Sequence, residues 1–356
     1  MINGLFFDQR MWNMDIIPSI GWQPKKYGIN IDLCTNESSI VNDGINEKYK
    51  FIIVSEVWTR PMRDIMEYLR ARNIKIFFLP RELVTFSRDA LFNYDIHLYK
   101  GEKFFCPDIV FAPNSTYYEL WKDKAKCYLT GHPKFDYCIQ PMPDKKIILE
   151  KYGLDKDRMT IFFPSYPPMY FQKDKKQDAF VNIFDEREAT MQSLEEFSKK
   201  NNTQVIVKLH PTSYKNYIKG FDRSDVSGLT LKYLMKPTKF FKVTGDIRMS
   251  SQIARDILCV SDIIVGYTST MLIEAALLSK HILHVNIGKC QDFIDRPRYD
   301  NIFETALSKN EIAEKLDKMI CGESKNYNMA DIERFAYKVD GNCCERIFSI
   351  INEELK

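Results

Sequence analysis

The chain has 356 residues, enough for two domains at a prior of roughly 150 residues each. Hydrophobic residues make up 45% and charged residues 28%, a globular balance that excludes a disordered or fibrous chain. The net charge of +3 gives no reason to expect a nucleic-acid partner.

In chain order, Met1–Asp8 (MINGLFFD) lacks the basic start and long apolar middle of a secretion signal and reads as a first strand. Lys50–Val57 reads as a buried strand, Pro61–Arg72 as a helix with proline in its first turn, and Ile74–Leu79 as another strand. Arg81–Phe92 reads as a helix and Asp108–Ala112 as a strand, with a helix following from Ser115. Strand, helix and strand at this spacing point to parallel pairing. Gln140–Asp144 (QPMPD) carries two prolines and suits a linker.

The alternation then restarts. Met159–Phe163 is a strand, Asp178–Lys199 a long polar helix and Thr203–Leu209 a strand. Ser250–Cys259 is a helix, Asp262–Val265 a strand, Thr268–Ser279 a helix and Ile282–Ile287 a strand. Lys309–Ile320 and roughly Met329–Leu355 are closing helices. Two α/β halves joined by a linker place the expected site in a cleft, beyond the carboxyl ends of the strands.

The nine cysteines are scattered, without a Cys-x-x-Cys pair, and adjacent Cys343 and Cys344 are poor geometry for one zinc ion. They read as reduced thiols of a cytosolic protein. No run of 18 apolar residues spans a membrane. A cytoplasmic location is expected, with peripheral attachment to the membrane's inner face left open.

Three segments carry chemistry. In the first, the strand Asp262–Val265 ends in Gly266-Tyr267-Thr268-Ser269-Thr270 and a helix starts at once. Gly266 permits a tight turn. Three hydroxyl residues then stand where free backbone N–H groups emerge, which makes a ready phosphate site. Thr268 or Ser269 can equally serve as a plain helix cap. Glu274, at i+4 from Thr270 on an otherwise apolar stretch, suits a ribose diol. In the second, Lys208-Leu209-His210-Pro211 ends a strand; alternation puts Lys208 and His210 on one face and Pro211 stops the strand. His210 can bind a diphosphate as a cation or act as an acid. In the third, Thr130-Gly131-His132-Pro133-Lys134-Phe135-Asp136 precedes the linker and reads either as a rigid elbow facing the cleft, with His132 and Lys134 on it, or as a plain turn.

These segments resemble a known family. LTGHPKFDY is similar to the tGxPRxD segment of the teichoic-acid CDP-glycerol glycerophosphotransferases, and VIVKLHP resembles their K-x-HP strand. SDIIVGYTSTMLIEAALLSKHIL looks like their Asp-Tyr-Ser-Ser-helix segment, and KVDGNCCERIFSII like their closing helix. The four occur in the family's order from about Tyr128 to the C-terminus; the Ser-Thr-x-x-x-Glu-Ala version also occurs in other GT-B glycosyltransferases. The resemblance implies a GT-B fold and transfer from a nucleotide-activated donor onto a bacterial surface polymer. It makes His210 a donor-phosphate or catalytic histidine, with Ser269 and Thr270 on phosphate. Two positions depart from the pattern. Gly266 stands where the family has aspartate, and the family's His-Gly base is missing. Pro80-Arg81-Glu82 follows the equivalent strand, so Glu82 can stand in as base.

The fold expected is α/β of GT-B type, two Rossmann-like domains facing a central cleft. An acceptor-side domain covers 1–141 and a donor-binding domain 142–356, whose last helix can cross back. The expected activity is a metal-independent glycosyltransferase or glycerophosphotransferase using no separate cofactor. Its partners are a CMP- or CDP-linked donor, with UDP-linked sugar donors open, and a glycan or lipid-linked glycan acceptor. Catalysis falls to His210 and Glu82; Lys208, Gly266, Thr268, Ser269, Thr270 and Glu274 hold the donor. A nucleotide-sugar 2-epimerase-like isomerase is the enzyme alternative, and His97 with a few acids is all the N-terminal half offers it. The other alternative is a non-catalytic GT-B subunit.

Overall fold

The computed structural model describes residues 1–7, 21–34, 40–41, 45–55, 60–80, 106–165, 169–173, 178–210, 237–244, 250–292, 299, 301–324 and 326–356. Glu82, His97 and the expected helix Arg81–Phe92 lie outside them. The chain divides into two compact units, one of Met1–Gln140 with Ala330–Lys356, the other Pro141–Met329.

In the first unit, six strands form a parallel sheet. They are β1 (Ile2–Phe7), β2 (Ile29–Cys34), β3 (Phe51–Val54), β4 (Lys75–Phe78), β5 (Ile109–Ala112) and β6 (Lys126–Leu129). Their order is β2-β1-β3-β4-β5-β6. The helices are α1 (Ile45–Lys48), α2 (Arg60–Arg70) and α3 (Ser115–Trp121). Continuous apolar strands such as FIIV are what a parallel sheet covered on both faces requires. Alternation sends Ile52, Val54, Ile76 and Phe78 to the face under Met66, Leu69 and Trp121. It sends Phe51, Ile53, Phe77 and Phe111 to the opposite face.

The second unit holds another six-stranded sheet, of β7 (Thr160–Pro164), β10 (Gln204–Lys208), β11 (Phe241–Thr244), β12 (Ile263–Gly266), β13 (His281–Val285) and β14 (Glu304–Ala306). All its pairings are parallel, in the order β11-β10-β7-β12-β13-β14. β8 (Met169–Lys173) and β9 (Asp178–Asn182) form a separate antiparallel pair after β7. The helices are α4 (Lys145–Lys151), α5 (Phe184–Asn201), α6 (Ser250–Val260), α7 (Thr270–Leu277) and α8 (Lys309–Ile320). Residues 178–182, expected in the long polar helix, are the strand β9 instead. Phe180 and Val181 favour strand geometry, and the register opposes Phe180 to Phe171.

The chain closes with α9 (Met329–Glu333) and α10 (Cys343–Glu354). The single helix expected over this span is broken where Lys338 and Gly341 take φ of 42° and 77°. α10 buries Cys343, Cys344, Ile347, Phe348 and Ile351 against Phe6, Phe51 and Phe77 of the first sheet. That contact places residues 330–356 with residues 1–140. The apolar stripe of α10 is visible in the sequence; the sheet it covers is not.

Candidate functional site

In the second sheet, β10 and β11 lie on one side of β7 while β12, β13 and β14 lie on the other. The winding reverses between β7 and β12. At such a switch point the loops leaving the carboxyl ends diverge and open a crevice for a ligand. The sequence-selected residues Lys208, His210, Gly266, Thr268, Ser269 and Thr270 all stand at the carboxyl ends of β10 and β12, either side of β7.

Gly266 is the last residue of β12. Its φ is not positive, so the turn after β12 does not require glycine for its backbone conformation, and the space beside it is tight. A Cβ there would lie 3.1 Å from Leu272 Cδ2 and 3.9 Å from Pro164 Cγ. Tyr267 turns inward and is 3% exposed. Its hydroxyl lies 2.9 Å from Thr190 Oγ1, its ring meets Phe163 edge-on, and burial holds the phenol protonated. That anchor leaves Thr268, Ser269 and Thr270 half-exposed above the core.

Ser269 is the N-cap of α7, its Oγ accepting from Met271 N at 3.2 Å. The cap is therefore real, and it falls where the helix dipole favours an anion. Glu274 follows one turn into α7 and is 2% exposed. Behind Thr268, His284 on β13 is also 2% exposed, with Nε2 3.5 Å from Thr268 Oγ1.

Across β7, Ser165 N donates to Lys208 O at 2.8 Å and Leu209 N to Thr244 O at 2.9 Å, which fixes the end of β10. Lys208 is 7% exposed, with Nζ 3.4 Å from Leu209 O. The protein around His210 desolvates it, and the Lys208 ammonium adds to that; together they push its pKa down to about 4. With no anion at the site the ring is therefore neutral at neutral pH, a proton acceptor or an uncharged donor.

His132 and Lys134 lie in the first unit. His132 is 3% exposed and caps a short 3₁₀ turn, Pro133–Ile139, with Nδ1 accepting from Lys134 N at 3.1 Å. Burial pushes its pKa down to about 3. The surrounding GHPKFD segment holds the C-terminal residues. Arg346 Nε donates to Thr130 O at 2.7 Å, and Cys343 N donates to Asp136 Oδ2 at 3.2 Å. A Cβ at Gly131, where φ is 77°, would fall 2.5 Å from Tyr337 O. Asp136 is thus bonded to the start of α10.

The sequence did not single out His284, which lies 3.5 Å from Thr268 Oγ1. The only available signal was a histidine on the inward register of the apolar strand HILHV.

No protein-family model matches the chain, and no curated protein sequence matches it. Solved structures do. A UDP-GlcNAc 2-epimerase from Neisseria meningitidis, bound to UDP-GlcNAc, is similar over 99% of each chain, with TM-score 0.61 and 13% identity. The wall teichoic acid polymerase TagF is similar over 99% of this chain and 89% of its own, with TM-score 0.60 and 11% identity. A UDP-GlcNAc 2-epimerase from Methanocaldococcus jannaschii is similar over 99% of this chain and all of its own, with TM-score 0.59 and 14% identity. The chain therefore has the two-domain α/β, GT-B-like fold of these proteins. No helix among the described residues is long and apolar enough to cross a membrane.

Proposed function

We propose that the protein is a transferase that takes a nucleotide-activated donor at the carboxyl edge of the second sheet and passes its activated group to a glycan or lipid-linked glycan acceptor. The observation that carries this reading is the Ser269-capped start of α7 at the switch point, with Glu274 in the same helix and Lys208 and His210 at the end of β10. In this proposal the α7 terminus and the Lys208 ammonium offset charge developing on the leaving phosphate. Neutral His210 donates to that phosphate or accepts a proton beside it. Glu274 accepts from the ribose diol. Glu82 enters as acceptor base by its sequence position alone. A cytidine donor is favoured by the family resemblance, as are a bacterial surface polymer as acceptor and a place at the inner membrane face.

A nucleotide-sugar 2-epimerase is the second reading, favoured by a likeness to the epimerase structures as high as that to TagF. Purified protein incubated with CDP-glycerol and with UDP-GlcNAc separates the two. A transferase releases nucleotide only when an acceptor is added; an epimerase converts the sugar nucleotide with no second substrate. Binding without turnover under either condition would leave a non-catalytic subunit and overturn both.

A further inference from the structure

The first turns of α5 join the loops that leave β12 and β13 at the carboxyl edge of the second sheet. Thr190 Oγ1 donates to Glu186 O at 2.8 Å. A hydroxyl carries one hydrogen, so Tyr267 Oη donates to Thr190 Oγ1, 2.9 Å away. That bond ties α5 to the residue before Thr268. One turn nearer the helix start, Lys289 N donates to Glu186 Oε1 at 2.9 Å. Gly288 makes room for that carboxylate: its φ is 52°, and a Cβ there would fall 2.5 Å from Oε1 and 3.0 Å from Cγ. Glu186 is 9% exposed, and its second oxygen, Oε2, is buried without a hydrogen-bond partner among the described residues. Folding gains nothing from a carboxylate oxygen in that state, which carries a desolvation cost.

We propose that Glu186 is a specificity-determining residue for the donor's transferred group: Oε2 accepts a hydrogen bond from a hydroxyl of the sugar or polyol carried on the diphosphate. The inference rests on the nucleotide-site reading above. In that reading the diphosphate sits at Thr268–Thr270 and Glu274 of α7 holds the ribose, so the transferred group leaves from the other end of the diphosphate. Tyr267, Leu283 and Val285 pack against Met191 and Leu194 of α5. α7 also packs on β12 and β13 but adds no residue to that cluster, so it covers the other face of the sheet. Glu186 therefore stands across the carboxyl edge from Glu274, on the side the transferred group enters. A carboxylate anchored through one oxygen presents the other in a fixed direction. A charged acceptor so held separates a hydroxyl-bearing group from one that lacks the hydroxyl.

The test is calorimetric titration of the full chain with CDP-glycerol beside CDP and with UDP-GlcNAc beside UDP, which separates contacts to the transferred group from contacts to the nucleotide. Glu186→Gln keeps the bond from Lys289 N through its amide carbonyl and sets an NH2 group where Oε2 stood. It should bind the preferred donor about tenfold or more weakly than wild type, the scale of one lost charge-assisted bond. It should bind the matching nucleoside diphosphate as wild type does, and melt at or above the wild-type temperature. Glu186→Asp, which draws the carboxylate back by one methylene, should show the same binding pattern, so the idea stays testable if Glu186→Gln misfolds. Equal weakening of donor and nucleoside diphosphate would make Glu186 a group that only holds the loop, and overturns the proposal. So does unchanged donor affinity in the variants. Wild type that binds CDP or UDP but neither donor overturns it and leaves the nucleotide-site reading standing. Wild type that binds none of the probes overturns both.

Discussion

At the scale of single residues, environment sets the chemistry. His210 and Lys208 are two residues apart in sequence, and burial together with the Lys208 ammonium lowers the His210 pKa to about 4. If His210 acts on the leaving phosphate, His210→Ala should lower kcat by about 10²-fold, the scale of one lost electrostatic donor. Because its pKa lies at about 4, the acid limb of kcat/KM should fall near pH 4, not near the ordinary histidine value. An acid limb near pH 6.5, or one that survives His210→Ala, counts against the assignment. Glu274→Gln removes a charge at nearly constant volume; nucleotide affinity should drop about tenfold or more with the melting temperature little changed. Equal loss of stability and affinity would make Glu274 a structural group. Residue types and spacing made Lys208, His210, Ser269 and Glu274 legible in the sequence. His284 was not, because its partners, Thr268 and Thr305, are brought to it only by strand pairing across β12, β13 and β14.

At the scale of elements, α10 shows how a helix is tied to a sheet from far along the chain. Asp136 is 1% exposed and takes the N–H of Cys343 at the start of α10. Burial raises its pKa to about 6. A carboxyl whose folded pKa is raised contributes stability that is present below its unfolded pKa of about 4 and lost as pH rises through the folded value. Wild type should therefore lose stability from this group between about pH 4 and 6. Asp136→Asn should melt at or above wild type at pH 7.5, the gap closing toward pH 4. A variant that melts lower at pH 7.5 would show that the charged carboxylate is the stabilising cap. In the same helix Ile351 is fully buried, and Ile351→Ala should cost about 2–5 kcal/mol by cavity formation, read as a lower denaturant midpoint.

At the scale of the molecule, the first unit is assembled from both ends of the chain. Truncation after Met329 removes α10 and bares the face formed by Phe51, Ile53, Phe77 and Phe111. Exposing that much apolar surface should abolish the cooperative melt of the first unit and promote association. A truncated chain melting like the full one would mean that α10 contributes little to the core. Ligand linkage gives the complementary prediction. A nucleotide at a hundred times its dissociation constant should add about 2.7 kcal/mol, seen as a rise in melting temperature that is larger for CDP than for GDP.

The sequence by itself determined that the chain is two α/β halves. Apolar strand runs alternate with amphipathic helices, and that periodicity is a local property. It also marked the capped helix start at Ser269 and the Lys208–His210 strand end, because caps and strand stops are local chemistry. Tertiary structure alone decided the rest. The pairing of β9 with β8 won over the helix expected from Asp178, the break before α10 lies at positive φ of Lys338 and Gly341, and the role of GHPKFD depends on a segment some two hundred residues later. The protonation of His210 was likewise set by desolvation. The GHPKFD contact joins residues about two hundred positions apart, and no local pattern records which distant residue will arrive.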